Sequence, residues 1–307
     1  MNTIFTAFIV YIALFLFGLV ILRIGIKLLS YQKMKIWIGK HTANPFKGFL
    51  VGVIATGIMQ SSSTTLIILI SLTATGLIPF RNTIPIILGA NVGTTFTVEL
   101  LAFSNDSLMF FFLFSGLICL FIYRQPIFAA GCISFGIGTI FAAMYGFESL
   151  AVPIKEMPAM TDALVQVDTS LSLSMLLGVI VTAIIQSSSA FTGIIMSFMN
   201  EHLLSMDSAI AMILGSNIGT CFTAFLASIG SMKEAKWVAY AHIWINILGV
   251  IMFWPFIHLL VNISEHLSIY PDRQLAHASF IFNFIVSIVL LPFIKQISSL
   301  AKLPYRT

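Results

Sequence analysis

The sequence predicts an all-α polytopic membrane protein with two inverted-topology repeats, each carrying a re-entrant helical hairpin, and about seven full spans besides the two hairpins. Three observations predict it: an apolar composition with few charges, a duplicated polar pattern at a constant offset, and a one-sided distribution of Lys and Arg.

Composition sets the class. Apolar residues make up 59% of the 307 positions and charged residues 8%, and mean hydropathy is +1.04. A soluble globular domain carries roughly 25% charged residues. The first apolar run, about residues 4–29, is long enough to span. It has no basic residue before it and no small-residue cleavage site, so it is expected to be a retained span. Cys119, Cys132 and Cys221 lie in apolar runs without CxxC spacing, which argues against disulfides and zinc. The net charge of +4 comes from basic residues beside spans, so membrane topology accounts for it rather than nucleic acid.

The duplication sets the architecture. GVIATGIMQSSSTT (Gly52–Thr65) is followed by GANVGTTFT (Gly89–Thr97), and 126 positions later GVIVTAIIQSSSAF (Gly178–Phe191) is followed by GSNIGTCFT (Gly215–Thr223). Aligned without a gap, Leu50–Glu99 and Leu176–Phe225 share 22 identities in 50 positions, concentrated on Gln, Ser, Asn, Gly and Thr. Apolar residues coincide by chance in such chains, and these types do not. Further full spans are expected at about 83–104, 107–123, 126–147, 207–229, 234–260 and 274–296. The segments at about 46–78 and 172–200 are each broken at their QSSS. Residues 1–125 then form the first repeat and 126–260 the second, with 261–307 an additional C-terminal span and tail.

Charge decides how the broken segments run. If each QSSS segment turns back as a hairpin, one face collects Arg23, Lys27, Lys33, Lys35, Lys40, Lys47, Arg81, Arg124, Lys233, Lys236, Lys295, Lys302 and Arg306. The other face receives most of the acids, with Lys155 and Arg273 its sole basic residues. Counting each segment as one crossing scatters these sets. By the positive-inside rule the N-terminus is outside and the C-terminus cytoplasmic, in the cell membrane. The spans that begin the two repeats are then three full crossings apart and run in opposite directions. Two inverted hairpins bring their tips together near the midplane.

The breaks carry the chemistry. Where one half-helix ends and the next begins, carbonyls and amides lose their intrahelical partners. A serine cap leaves free N–H groups and a partial positive charge for an anion, so Ser62, Ser63, Ser188 and Ser189 are candidate anion contacts. The opposite ends expose carbonyls, and Gln60 and Gln186 add oxygens suited to a hard cation such as sodium. Asn91, Thr94, Asn217 and Thr220 are candidate cation or anion ligands, with Thr97 and Thr223 one helical turn beyond. Neither motif contains Lys or Arg, so a co-bound cation is the expected neutraliser of an anion in this interior. No P-loop offers a nucleotide as energy source, which points to an ion gradient.

The paired QSSS motifs, each followed about 30 residues later by G-x-N-[IV]-G-T, resemble the type II sodium-dependent phosphate cotransporters of bacteria and animals. The resemblance directly covers roughly a third of the chain. It implies a sodium-coupled phosphate symporter, with sodium ions as coupling ions and no other cofactor. By motif position it implies phosphate contacts from Ser61, Ser62, Ser63, Thr64, Ser187, Ser188 and Ser189. The sodium set is Gln60, Asn91, Thr94, Gln186, Asn217 and Thr220. Two features depart from the pattern: Ala190 and Phe191 stand where the first hairpin has Thr64 and Thr65, and Ser279 precedes Asn283 where His242 precedes Asn246.

The expected partners are inorganic phosphate, sodium, the bilayer and a second copy in a homo-oligomer. The alternatives are another oxyanion, proton coupling through Glu99, and a non-transporting membrane protein that senses the anion. An intramembrane hydrolase is disfavoured, because three serines without GxSxG or a specified base do not define a nucleophile.

Overall fold

The computed structural model describes residues 2–40 and 44–305; of Asn2, residues 30–40 and Tyr305 it describes the backbone alone. The side chains of Lys33, Lys35 and Lys40, and all of Arg306, which belong to the predicted basic set, lie outside the described residues. Fifteen α-helices follow in order: α1 (Asn2–Lys40), α2 (Pro45–Met59), α3 (Ser62–Ala74), α4 (Phe80–Leu101), α5 (Asp106–Leu120), α6 (Gln125–Ser149), α7 (Ala151–Lys155) and α8 (Pro158–Thr169). Then come α9 (Leu171–Ile185), α10 (Ser188–Asn200), α11 (Met206–Ser228), α12 (Lys233–Phe253), α13 (Ile257–Leu267), α14 (Pro271–Leu290) and α15 (Ile294–Lys302). No strand occurs among the described residues.

Among the described residues six stretches are long and apolar enough to cross a membrane, and they match six of the seven predicted spans. The exception is the run at 107–123. Asn105 caps α5 by accepting from the Leu108 amide at 2.9 Å, and the chain leaves the helix after Leu120. The resulting 15-residue helix is about 22 Å long, short of the roughly 30 Å hydrocarbon core. Phe121–Tyr123, the last residues of the predicted run, belong to the following turn and connection.

Glycine contacts give the helix directions. Tyr11 faces Gly146, Gly18 faces Gly136 and Ile140, and Gly25 faces Ala129, so α1 and α6 are antiparallel. Leu113 on Gly138, Gly116 on Phe135 and Cys119 on Gly131 make α5 and α6 antiparallel too. By contrast α2 and α4 are parallel: Gly48 meets Pro85, Gly52 meets Ile86 and Ala90, and Gly57 meets Phe96. In α9 and α11, Met175 meets Gly215 while Val179 and Thr182 meet Gly219, again in parallel. Each pair begins at the same face. The intervening α3 or α10 therefore returns the chain to the side it came from, which is a re-entrant hairpin. A single broken crossing would have delivered α4 and α11 antiparallel to α2 and α9.

These approaches need glycine. A Cβ on Gly52 would run into the Ile86 carbonyl and one on Gly89 into the Phe49 carbonyl; Gly178 meets the Met212 carbonyl and Gly215 the Met175 carbonyl in the same way. The small-residue pattern thus lets the two backbones touch, as membrane helices do in the absence of a hydrophobic drive between them. The equivalence extends to the hairpin ends. Gly76 (φ 72°) and His202 (φ 57°) stop α3 and α10 in the same left-handed turn, with the Leu77 amide bonded to the Leu72 carbonyl and the Leu203 amide to the Phe198 carbonyl.

The stretch at 151–170 forms α7 and α8; α8 buries no residue and bends by 109° into α9. The C-terminal helices repeat one another. α12 breaks at a 3-10 turn, Trp254–Phe256, before α13, and α14 breaks at Leu291–Phe293 before α15. His242, Asn246, Pro255 and Ile257 correspond to Ser279, Asn283, Pro292 and Ile294. α12 packs on α11 and on α3, whereas α14 packs on α4 and on α10, so each braces its neighbour and the other unit's hairpin. This relationship runs across the boundary drawn at residue 260.

Candidate functional site

The two QSSS turns close on one cavity of about 180 Å³, lined by Arg23, Gln60, Ser61, Ser62, Ser63, Thr64, Ile67, Thr94, Gln186, Ser187, Ser188, Ser189, Thr220 and Thr223. That volume suits a small ion better than a drug-sized ligand, whose pockets run to roughly 300 Å³ or more. Residues 126 positions apart in sequence thus meet in space.

Each turn is built alike. α2 ends at Gln60 (φ 50°) and α9 at Gln186 (φ 56°), both left-handed, a conformation that disfavours a residue with a Cβ. Glutamine at both places keeps an amide side chain at the end of a half-helix. Extended Ser61 and Ser187 follow as N-caps: the Ser61 hydroxyl accepts from the Thr64 amide at 3.1 Å and the Ser187 hydroxyl from the Ala190 amide at 3.3 Å. These two hydroxyls are engaged in capping. The first-turn amides of Ser62, Ser63, Ser188 and Ser189 have no intrahelical acceptor and carry the positive end of the helix dipole.

Oxygen acceptors surround the same space. The Gln60 amide Nε2 donates to the Gly57 carbonyl at 2.5 Å, and its Oε1 is buried without a partner. Thr223 Oγ1 lines the cavity and is also buried without a partner. Thr94 Oγ1 donates to the Ala90 carbonyl at 3.0 Å and Thr220 Oγ1 to the Ser216 carbonyl at 2.8 Å, which leaves their lone pairs for another donor or a cation. Unpaired buried oxygens of this kind fit a hard cation.

Three predicted residues, Asn91, Asn217 and Thr97, stand outside the lining. Asn91 is buried, and its Nδ2 donates to Asn246 Oδ1 at 2.8 Å; Asn246 Nδ2 in turn donates to Cys221 Sγ at 3.0 Å. Asn217 Nδ2 donates back to the Ile213 carbonyl at 2.9 Å. Helical spacing put both on the motif, and the face they occupy turns them to neighbouring helices or their own backbone. Thr97 Oγ1 is buried without a partner but does not line the cavity. Glu99 is away from it as well, with Oε1 2.9 Å from His277 Nδ1, so this pair joins α4 to α14.

Arg23 corrects the sequence reading, which found no basic residue in either motif and placed this one with the peripheral basic set. Its Nε donates to the Gln60 main-chain carbonyl at 3.2 Å, and the side chain lines the cavity. The available signal was its position: a lone Arg about two turns inside the apolar run Thr3–Leu29.

The hairpins also differ. Thr56 and Thr65 hydroxyls lie 2.8 Å apart across the first. In the second, buried Phe191 replaces Thr65, and Thr182 donates to Ser216 of α11 at 2.8 Å.

Comparisons with known proteins identify the family. The model of the family described as Na+/Pi-cotransporter matches residues 14–149 and 155–267, which include both hairpins. The chain is 40% identical over 288 residues to "Uncharacterized protein YqeW" of Bacillus subtilis, covering 94% of this chain and 93% of that protein. It is 23% identical over 293 residues to "Putative inorganic phosphate export protein YjbB" of Salmonella typhimurium, covering 95% of this chain and 54% of that protein, so it spans about half the length of that relative. Over 107 residues it is 35% identical to "Sodium-dependent phosphate transport protein 2C" of Homo sapiens, 33% of this chain and 18% of that protein. No solved structure matches. A family match across both motif-bearing halves, joined to a cavity made from the two motifs, has one consequence: the chain belongs to the Na+/Pi-cotransporter family, a family of transporters and not of enzymes.

Proposed function

We propose that the protein is a secondary active transporter of the cell membrane that couples sodium movement to inorganic phosphate by alternating access. The observation that carries the reading is the single polar cavity bounded by both QSSS turns. Phosphate is held by the free first-turn amides and the hydroxyls of Ser61, Ser62, Ser63, Thr64, Ser187, Ser188 and Ser189. Helix N-termini are well suited to an oxyanion. Sodium is held by oxygens of Gln60, Gln186, Thr94 and Thr220, with Thr223 added to the set; the unpaired Gln60 Oε1 and Thr223 Oγ1 support this. Asn91 serves behind them as a strut between α4 and α12, and Asn217 is bonded back to its own helix.

The moving parts are the two inverted repeats, 1–125 and 126–260, with 261–307 bracing both. The glycine-locked pairs α2–α4 and α9–α11 are stiff bodies, and the antiparallel α1 and α6 are the natural pivot. Exposing the cavity to each face in turn requires only that these bodies rock about it. The N-terminus is outside and the C-terminus cytoplasmic, by the distribution of Lys and Arg. Direction follows the imposed gradient, and the names of the relatives include both phosphate export and sodium-dependent phosphate transport. Phosphate flux in vesicles, with sodium placed first outside and then inside, tests coupling and direction together. Flux indifferent to sodium refutes the coupling.

A further inference from the structure

We propose that Arg23 is a built-in counter-cation of the transport site, seated on the main-chain carbonyl end of the first hairpin, where the second hairpin has no fixed charge. The inference rests on the phosphate reading and adds to it the origin of part of the positive charge. α2 ends at Gln60, where the last carbonyls of a half-helix carry partial negative charge. The Arg23 guanidinium sits on that end, with Nε on the Gln60 main-chain carbonyl at 3.2 Å, and leaves the Gln60 side-chain Oε1 to the mobile cation.

The second hairpin has the same backbone and no such guest. Gln186 repeats the left-handed turn, yet α6, the antiparallel partner of α1, carries no Lys or Arg between Gln125 and Ser149. The two half-sites are alike in backbone and unlike in charge. Gln186 is exposed whereas Gln60 is half-buried.

Charge arithmetic gives Arg23 its cargo-facing role. Among the described residues no carboxylate pairs with it. An Arg in a membrane interior is costly unless something anionic meets it. Only Nε is spent on Gln60, and the two terminal nitrogens of the fork are suited to two oxygens of a tetrahedral oxyanion. An anion bound between Ser62, Ser63 and this fork needs one mobile cation fewer than in a cavity without Arg23. The fixed charge also favours the more highly ionised form of phosphate.

The test compares wild type, Arg23→Lys and Arg23→Gln, purified in nanodiscs, by equilibrium binding of radiolabelled inorganic phosphate across sodium concentration and pH. Arg23→Gln is expected to weaken phosphate binding by about tenfold or more, the loss that goes with a hydrogen bond to a charged group. Its binding should depend more steeply on sodium, recover partly at high sodium and shift its optimum to lower pH, where phosphate carries less charge. Arg23→Lys should retain the wild-type sodium steepness with an intermediate affinity, which a merely structural role would not produce. Arg23→Gln with wild-type affinity and sodium steepness overturns the inference and leaves the transport reading intact. Uniform loss of binding in both variants, unrescued by sodium, overturns it too. Wild-type protein that binds no phosphate at any sodium concentration overturns the phosphate reading and this inference with it.

Discussion

The hydroxyls of Thr56 and Thr65 lie 2.8 Å apart, tying the two arms of the first hairpin to each other, while Thr182, the counterpart of Thr56, is tied to Ser216 of α11. With α2 locked on α4 by glycine contacts, α3 is fastened to that stiff pair. α10 has no such fastening to α9, because Phe191 stands where Thr65 would be. The second hairpin lacks a hydroxyl tie between its two arms at this place.

Amide hydrogen exchange should therefore show earlier opening in α10 than in α3. Thr65→Val is expected to remove the tie, destabilise the first hairpin by about 1 kcal/mol, and bring its exchange closer to that of α10. Equal protection of α3 and α10 in the wild type would contradict the asymmetry.

Gln60→Ala removes a buried oxygen without a partner, and Gln186→Ala removes its counterpart. Each substitution should raise the sodium concentration that gives half-maximal phosphate uptake. Sodium activation identical to wild type in both variants would reject the glutamines as cation ligands.

Gly52→Ala places a methyl group against the Ile86 carbonyl, and Gly178→Ala places one against that of Met212. Backbone cannot yield as a side-chain end does, so each should cost about 1–3 kcal/mol, read as a lower Tm of the protein in detergent. Gly76→Asn is the control, since nothing lies near a Cβ there and the equivalent His202 already holds a positive φ. It should change Tm little.

Glu99→Gln breaks a half-buried pair with His277 that joins α4 to α14 outside the cavity. We expect sodium-driven phosphate flux to persist with an unchanged response to a pH gradient, and a stability loss of no more than about 1 kcal/mol. Loss of flux, or its release from pH dependence, would instead identify Glu99 as a proton carrier.

The polar breaks were legible because Gln, Ser, Asn and Gly recur at one offset in a chain where little else is polar. Charge sidedness then distinguished hairpins from crossings, and the parallel α2–α4 and α9–α11 contacts agree. Motif spacing fixes the order of residues along a helix but not which neighbour each one faces. Asn91 and Asn217 were therefore placed with the ligands although their carboxamides bond elsewhere. Arg23 escaped for the complementary reason: its link to Gln60 joins residues that no motif connects. The kinship of α12–α13 with α14–α15 was legible in part from the pairing of Asn246 with Asn283, and the matching proline turns and the helices each packs on extend it.

The most direct test of a sodium-coupled phosphate site between the two QSSS turns is uptake of radiolabelled phosphate into vesicles containing the purified protein. Sodium or potassium is placed outside, and sulfate is run as a parallel substrate. Phosphate accumulation that requires sodium, is absent for sulfate and is lost when either QSSS is changed to QAAA is the predicted result. No flux of either anion under any imposed sodium or proton gradient would contradict it, and would leave the cavity as a binding site without turnover.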